Sequence, residues 1–133
     1  MKIVFCNGTY DILHYGHFKL LEYAKGLGDY LVVAIDSDSR VKEKKGKDRP
    51  MFNVHERKFQ LQSIVFVDEV IVFGSGKELE DCIKDVAPDY MVVGGDWFGK
   101  KVIGSEYAGE LIFFPRIDGF STTKILENEN DGT

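Results

Sequence analysis

Five short runs rich in Val, Ile and Phe alternate with stretches whose apolar residues recur at helical spacing, and this rhythm most constrains how the chain folds. The runs Lys2–Asn7, Tyr30–Ile35, Val67–Phe73, Asp89–Gly94 and Glu110–Phe114 read as strands. Between them, Leu20, Leu21 and Ala24, then Phe59, Leu61 and Ile64, then Leu79, Ile83 and Val86 mark three helices. Asn53 with Glu56 three residues later has the form of a capping box, and Pro88 stops the third helix. Strand, helix, strand at this pace predicts right-handed βαβ units on a parallel sheet. The unbroken Leu31-Val32-Val33-Ala34-Ile35 fits a strand covered on both faces. The expected architecture is α/β: a single-domain, doubly wound (Rossmann-like) parallel sheet of about five strands with helices on both faces.

At 133 residues, with 44% hydrophobic and 29% charged residues, the chain is one ordinary globular domain rather than a disordered, fibrous or disulfide-built one. Its longest apolar run, Tyr30 to Ile35, is strand-sized and far short of the roughly 18–20 residues of a membrane span. Cys6 and Cys82 form neither a CxxC pair nor a metal-binding spacing. With no secretory signal pattern at Met1, a cytoplasmic location is expected, with neither membrane nor nucleic acid as partner. The net charge of −5 argues against binding a polyanion by backbone electrostatics. Yet Arg40 to Arg49 carries +4, leaving −9 for the rest. A basic segment on an acidic protein suits a small anionic ligand, although a solvated loop has the same composition.

In a sheet of this kind ligands bind beyond the carboxyl ends of the strands, so the segments that follow each strand hold the candidates. The first reads Gly8-Thr9-Tyr10-Asp11-Ile12-Leu13-His14-Tyr15-Gly16-His17. Gly8 permits a tight turn, and the helix start that follows offers unpaired N–H groups to phosphate oxygens. His14 and His17, three apart, share a helix face, with Gly16 keeping side-chain bulk away from the backbone between them. Two imidazoles aimed at one phosphate would stabilise charge growing on its oxygens; a helix-capping pair, or a metal pair missing its other ligands, is the structural alternative. The last segment, Arg116-Ile117-Asp118-Gly119-Phe120-Ser121-Thr122-Thr123, places hydroxyls at a helix start behind a guanidinium fork that can grip phosphate.

Gly-Thr-Tyr-Asp followed by His-x-Gly-His, with the Arg116–Thr123 segment about a hundred residues later, resembles the paired signature of the cytidylyltransferase-like nucleotidyltransferases. The resemblance extends over residues 1–127, expected to form the nucleotidyltransferase domain, with 128–133 a disordered tail. The small glycerol-3-phosphate cytidylyltransferases are the nearer likeness, in size and through Arg116 before Asp118-Gly119-Phe120-Ser121-Thr122. The adenylyltransferase domain that makes nucleotide-activated heptose is the second, through Lys45-Gly46-Lys47-Asp48-Arg49-Pro50 and Gly94-Gly95-Asp96.

The resemblance implies that His14, His17, Lys44 and Arg116 are catalytic. It assigns Gly8, Thr9, Tyr10, Asp11, Gly16, Asp96, Trp97, Gly119, Ser121, Thr122 and Thr123 to the nucleotide, and Lys42, Lys45, Arg57 and Asp38 to a phosphorylated acceptor. Which of Lys42, Lys44 and Lys45 meets the transferred phosphate stays open. Asp11 either orients the helix start or helps to hold Mg²⁺; Asp36 and Asp38 have the same two options, and capping a turn is a third for Asp38. Mg²⁺ is expected to ride on the nucleoside triphosphate with no dedicated protein ligands, and a homodimer is implied. The expected reaction transfers CMP from CTP to a small phosphorylated alcohol such as glycerol 3-phosphate, releasing pyrophosphate. Transfer of AMP from ATP to a heptose 1-phosphate is the alternative, and a nucleotide-binding module without activity is the alternative of another class.

Overall fold

The computed structural model describes residues 1–115. Arg116, Gly119, Ser121, Thr122 and Thr123, and the tail expected at 128–133, lie outside the described residues. Five strands, β1 (Ile3–Gly8), β2 (Tyr30–Asp36), β3 (Glu69–Phe73), β4 (Tyr90–Gly94) and β5 (Glu110–Phe114), form one sheet in the order β3-β2-β1-β4-β5. All four pairings are parallel. Four helices connect them: α1 (Tyr15–Gly26), α2 (Asp38–Lys45), α3 (Val54–Gln62) and α4 (Gly76–Val86).

Alternation along the strands divides the core between the two faces. Val4 and Cys6 of β1 and Leu31, Val33 and Ile35 of β2 pack with Leu21 and Ala24 of α1 and Leu61 of α3. Phe5, Val32, Ala34, Met91 and Val93 turn the other way, onto Leu79 and Ile83 of α4. Burial pushes the Cys6 thiol up to about 12, so it remains an inert core side chain. The expected doubly wound sheet is present, with its strand ends within two residues of the sequence reading.

One helix departs from expectation. The basic segment read as a loop contains α2, an eight-residue helix. Ser37 Oγ accepts the Arg40 N–H at its start, Val41 is its one buried side chain, and Gly46 leaves it at φ +103, a backbone position that favours glycine. Its low apolar content hides it from a periodicity search. The Asn53–Glu56 capping box of α3 is formed as read, each side chain accepting the other residue's N–H.

The sheet opens where its order reverses. β1 pairs with β2 from Ile3 through Gly8, but with β4 at Val4–Tyr90 and Phe5–Met91 alone. Beyond Phe5 the two strands part, leaving a crevice between Gly8 and Gly94 at their carboxyl ends. That is the topological switch point of an open α/β sheet.

Candidate active site

The crevice is a cleft of about 520 Å³. Gly8 and Thr9 form one side of its mouth and Gly94 and Trp97 the other, while Arg40, Lys44 and Lys45 reach in from α2. With Lys101 the lining carries four cations against one acid, Asp36, among the described residues. Such a wall concentrates anions. Gly8 packs closely here: a Cβ would stand 3.1 Å from the Tyr10 ring, tight enough that the ring would have to shift.

His14 and His17 stand at the start of α1, on the sheet face opposite α4. The capping reading of the pair holds, and it runs through the Nδ1 atoms. His14 is the N-cap: its Nδ1 accepts the Gly16 N–H at 3.1 Å, and His17 Nδ1 accepts the His14 N–H at 3.2 Å. The rings lie 4.0 Å apart, with Tyr10 5.3 Å from His17. An Nδ1 that accepts a hydrogen bond carries no proton, so each neutral ring holds its proton on Nε2. Burial, then the charges of His14 and Lys45, lowers the His17 pKa to about 4. At neutral pH His17 is therefore an uncharged ring with an Nε2–H to donate. Gly16 spends its N–H on His14, so it offers a ligand the absence of a side chain rather than a backbone donor.

Of the three lysines, Lys44 and Lys45 line the cleft and Lys42 does not. Lys44 Nζ lies 3.3 Å from Asp36. Lys45 has the closer link to the imidazoles, since its charge acts on His17. Partial desolvation and the charges of Arg49 and Lys44 hold its own pKa below the usual lysine value. Trp97 stands on the rim, 46% exposed, rather than packing at the edge of the core. Asp96 is exposed beside it and is not part of the lining.

Four expectations are corrected by burial and by partners within the protein. Arg57, expected at a phosphate, is fully buried and bonded within the protein. It donates to the carbonyls of Phe52, Thr9 and Asp36 at 3.0, 3.0 and 2.8 Å, and to the Asp38 carboxylate at 2.8 Å. Asp38 is thereby committed to Arg57 rather than to an acceptor. Partial burial opposes its ionised form, but the Arg57 bond, the Val54 N–H and the Arg57 and Lys42 charges prevail and lower its pKa. Asp11, weighed as a nucleotide or Mg²⁺ contact, is 2% exposed, and its carboxylate accepts from Met51 N, Phe52 N and Arg49 Nε. A carboxylate with three donors has little left for a metal. Tyr10 is likewise buried, its hydroxyl pKa raised first by burial and then by Cys6, so it shapes the loop from beneath instead of touching a nucleotide. Asp11 and Arg57 together tie residues 9–11 to residues 49–52, across a cis Arg49–Pro50 bond.

Asn7, Arg40 and Lys101 line the cleft and escaped the sequence reading. A signal for Arg40 existed: Arg40 and Lys44 are four apart, which puts them on one face once α2 is a helix, beside Asp36 at the end of β2.

Fold and site together define a class. The Cytidylyltransferase-like family model matches residues 5–128. The chain belongs to the cytidylyltransferase-like family, and as an enzyme it is a nucleotidyltransferase. Among known proteins it is 44% identical over 127 residues to the bifunctional protein HldE of Helicobacter hepaticus, covering 96% of this chain and 26% of that one. It is 47% identical over 126 residues to the bifunctional protein HldE of Nitratiruptor sp., covering 95% and 27%. The chain thus spans about a quarter of the length of these relatives. A crystal structure of the lipopolysaccharide core biosynthesis protein from Thermoplasma volcanium superposes with a TM-score of 0.73 at 28% identity, over 89% of this chain and 99% of that one. Among the described residues, no helix is long and apolar enough to cross a membrane.

Proposed function

We propose that the chain transfers AMP from ATP to the 1-phosphate of a sugar of the heptose class. Its similarity to the bifunctional HldE proteins supports the adenylyl reading over CMP transfer to glycerol 3-phosphate. So does the Lys45–Pro50 segment, which leads from the cleft back to Asp11. The cytidylyl preference rested on Arg116 and its neighbours, outside the described residues.

The observation that carries the phosphate chemistry is the four-cation wall of the cleft, joined through Lys45 to the imidazole pair. In this reading an oxygen of the sugar phosphate attacks the α-phosphorus of ATP. A new P–O bond forms, the bond from the α-phosphorus to the bridging oxygen breaks, and pyrophosphate leaves with that electron pair. The nucleophile is already largely ionised at neutral pH, since the second pKa of a phosphate monoester is about 6, so no general base is needed. The protein's work is positioning and charge neutralisation. His17, uncharged at neutral pH, donates from Nε2 to an oxygen of the transferred phosphate, and Lys45 adds a charge beside it. Mg²⁺ arrives on the triphosphate as part of the substrate. The carboxylates of Asp11 and Asp36, already facing N–H donors and cations, are poorly suited to hold it.

The test is pyrophosphate release with ATP or CTP, each paired with heptose 1-phosphate or glycerol 3-phosphate. ATP with the sugar phosphate should be fastest. Faster turnover with CTP and glycerol 3-phosphate overturns the adenylyl reading, and nucleotide binding without turnover restores the inactive module.

A further inference from the structure

The inner end of the cleft contains two buried polar atoms that no other feature explains. Asn7 Oδ1 and Arg40 Nε are both shut off from solvent, and neither has a hydrogen-bond partner among the described residues. Native proteins rarely leave such groups unpaired, because each costs roughly 1–3 kcal/mol. Here one is an acceptor and the other a donor, and both residues line the same cleft.

Their positions are built by the fold. Asn7 follows Phe5 by two residues on β1, so it lies on the α4 face, where an apolar row gives way to a polar group. Ala34 is Asn7's register partner on β2, and Asp36 follows it by two residues on the same face. The Arg40 guanidinium lies over the Phe73 ring, 5.6 Å from its centroid. Its Nε lies 3.5 Å from the Asp36 carboxylate without hydrogen-bonding geometry. Stacking and charge hold the guanidinium in place while its N–H stays unspent. Leu79, Val93, Val102 and Ile103 supply apolar wall around these groups.

We propose that this inner pocket reads the hydroxyl groups of the acceptor's carbon skeleton, with Asn7 and Arg40 as its specificity-determining residues. The proposal rests on the sugar-phosphate reading above and deepens it. A hydroxyl both donates and accepts, so neighbouring hydroxyls of a polyol satisfy Asn7 Oδ1 and Arg40 Nε together. Asp36, which can only accept when ionised, suits a further hydroxyl donor. The C–H faces of a sugar fit the apolar wall, while Lys44 and Lys45 at the mouth take its phosphate. The imidazole pair lies on the opposite face of the sheet, which leaves the triphosphate outside this inner end. A site built to bond hydroxyls rejects a ligand lacking them, because its own buried groups then stay unpaired.

The test is calorimetric titration of the protein, saturated with α,β-methylene-ATP, with heptose 1-phosphate, glycerol 3-phosphate and inorganic phosphate. The unmodified protein should prefer heptose 1-phosphate to inorganic phosphate by at least about tenfold. Asn7→Ala should remove most of that preference, leaving affinity for inorganic phosphate and the ATP analogue within about twofold. Arg40→Lys, which keeps the charge facing Asp36 but loses the Nε–H, should likewise shrink the ratio of heptose 1-phosphate to inorganic phosphate affinity, and keeps the test alive if Asn7→Ala fails to fold. An unmodified protein that binds heptose 1-phosphate no better than inorganic phosphate overturns the proposal. So do variants that keep the preference, or that lose the ATP analogue instead. If the preference is present and responds to both variants but pyrophosphate is never released, adenylyl transfer fails and the polyol pocket stands.

Discussion

Buried charges, more than exposed ones, decide what individual residues do in this protein. Arg57 makes four hydrogen bonds from a fully buried position and joins the ends of β1 and β2 to the entrance of α3. Arg57→Met strands three carbonyls and the Asp38 carboxylate. It should cost about 3–5 kcal/mol, read by urea denaturation, the loss seen when one partner of a buried pair is removed. Lysine cannot replace the fork, so Arg57→Lys should recover less than half of it. His17 shows the opposite economy: Nδ1 serves the fold, and Nε2 carries the proton that the proposed chemistry uses. His17→Gln keeps an acceptor for the His14 N–H and loses the imidazole N–H, so kcat should fall about 10²–10³-fold with little change in KM for ATP. Its titration gives a further signature. His17 titrates at about 4 in the folded protein against an ordinary 6.5, so between these values the unfolded chain binds the extra proton. Its contribution to stability is complete above pH 6.5 and is lost as the pH falls towards 4. Urea midpoints measured across that window should fall less steeply in His17→Gln than in the unmodified protein.

At the scale of elements, α2 is the weakly anchored part that carries the cations. Its single buried residue is Val41, and Val41→Ala should loosen it by roughly 2 kcal/mol. The two lysines at its end separate function from stability. Lys45 makes no ion pair within 4.0 Å among the described residues, so Lys45→Ala should leave the melting temperature nearly unchanged. It should lower kcat/KM about a hundredfold, equivalent to about 2.7 kcal/mol. Removing that charge should also let the His17 pKa climb, which imidazole NMR titration would detect. Lys44→Ala should lower both activity and stability, because the buried Asp36 carboxylate keeps Arg40 as its one remaining cation. Equal loss of stability in both variants would remove the distinction between them.

For the whole molecule, the homodimer implied by family resemblance should appear in sedimentation as twice the chain mass at micromolar concentration. A monomer that retains full turnover would set that expectation aside and leave the chemistry untouched. The sequence by itself determined the α/β rhythm, the sheet buried on both faces and the segments in which the site lies. Those follow from local periodicity and from glycine and capping residues whose preferences act over a few positions. The crevice was not legible, because it depends on β1 pairing with β4 over two positions while it follows β2 to its end. Nor were the roles of Asp11, Asp38 and Arg57, since a charged residue near a phosphate motif looks the same in sequence whether it faces a ligand or a carbonyl. Tertiary structure decided these roles by bringing donors and acceptors 19 to 48 positions apart into one dry interior. There a charge must find its partner within the protein, whereas at the open cleft Lys45 is left for a ligand.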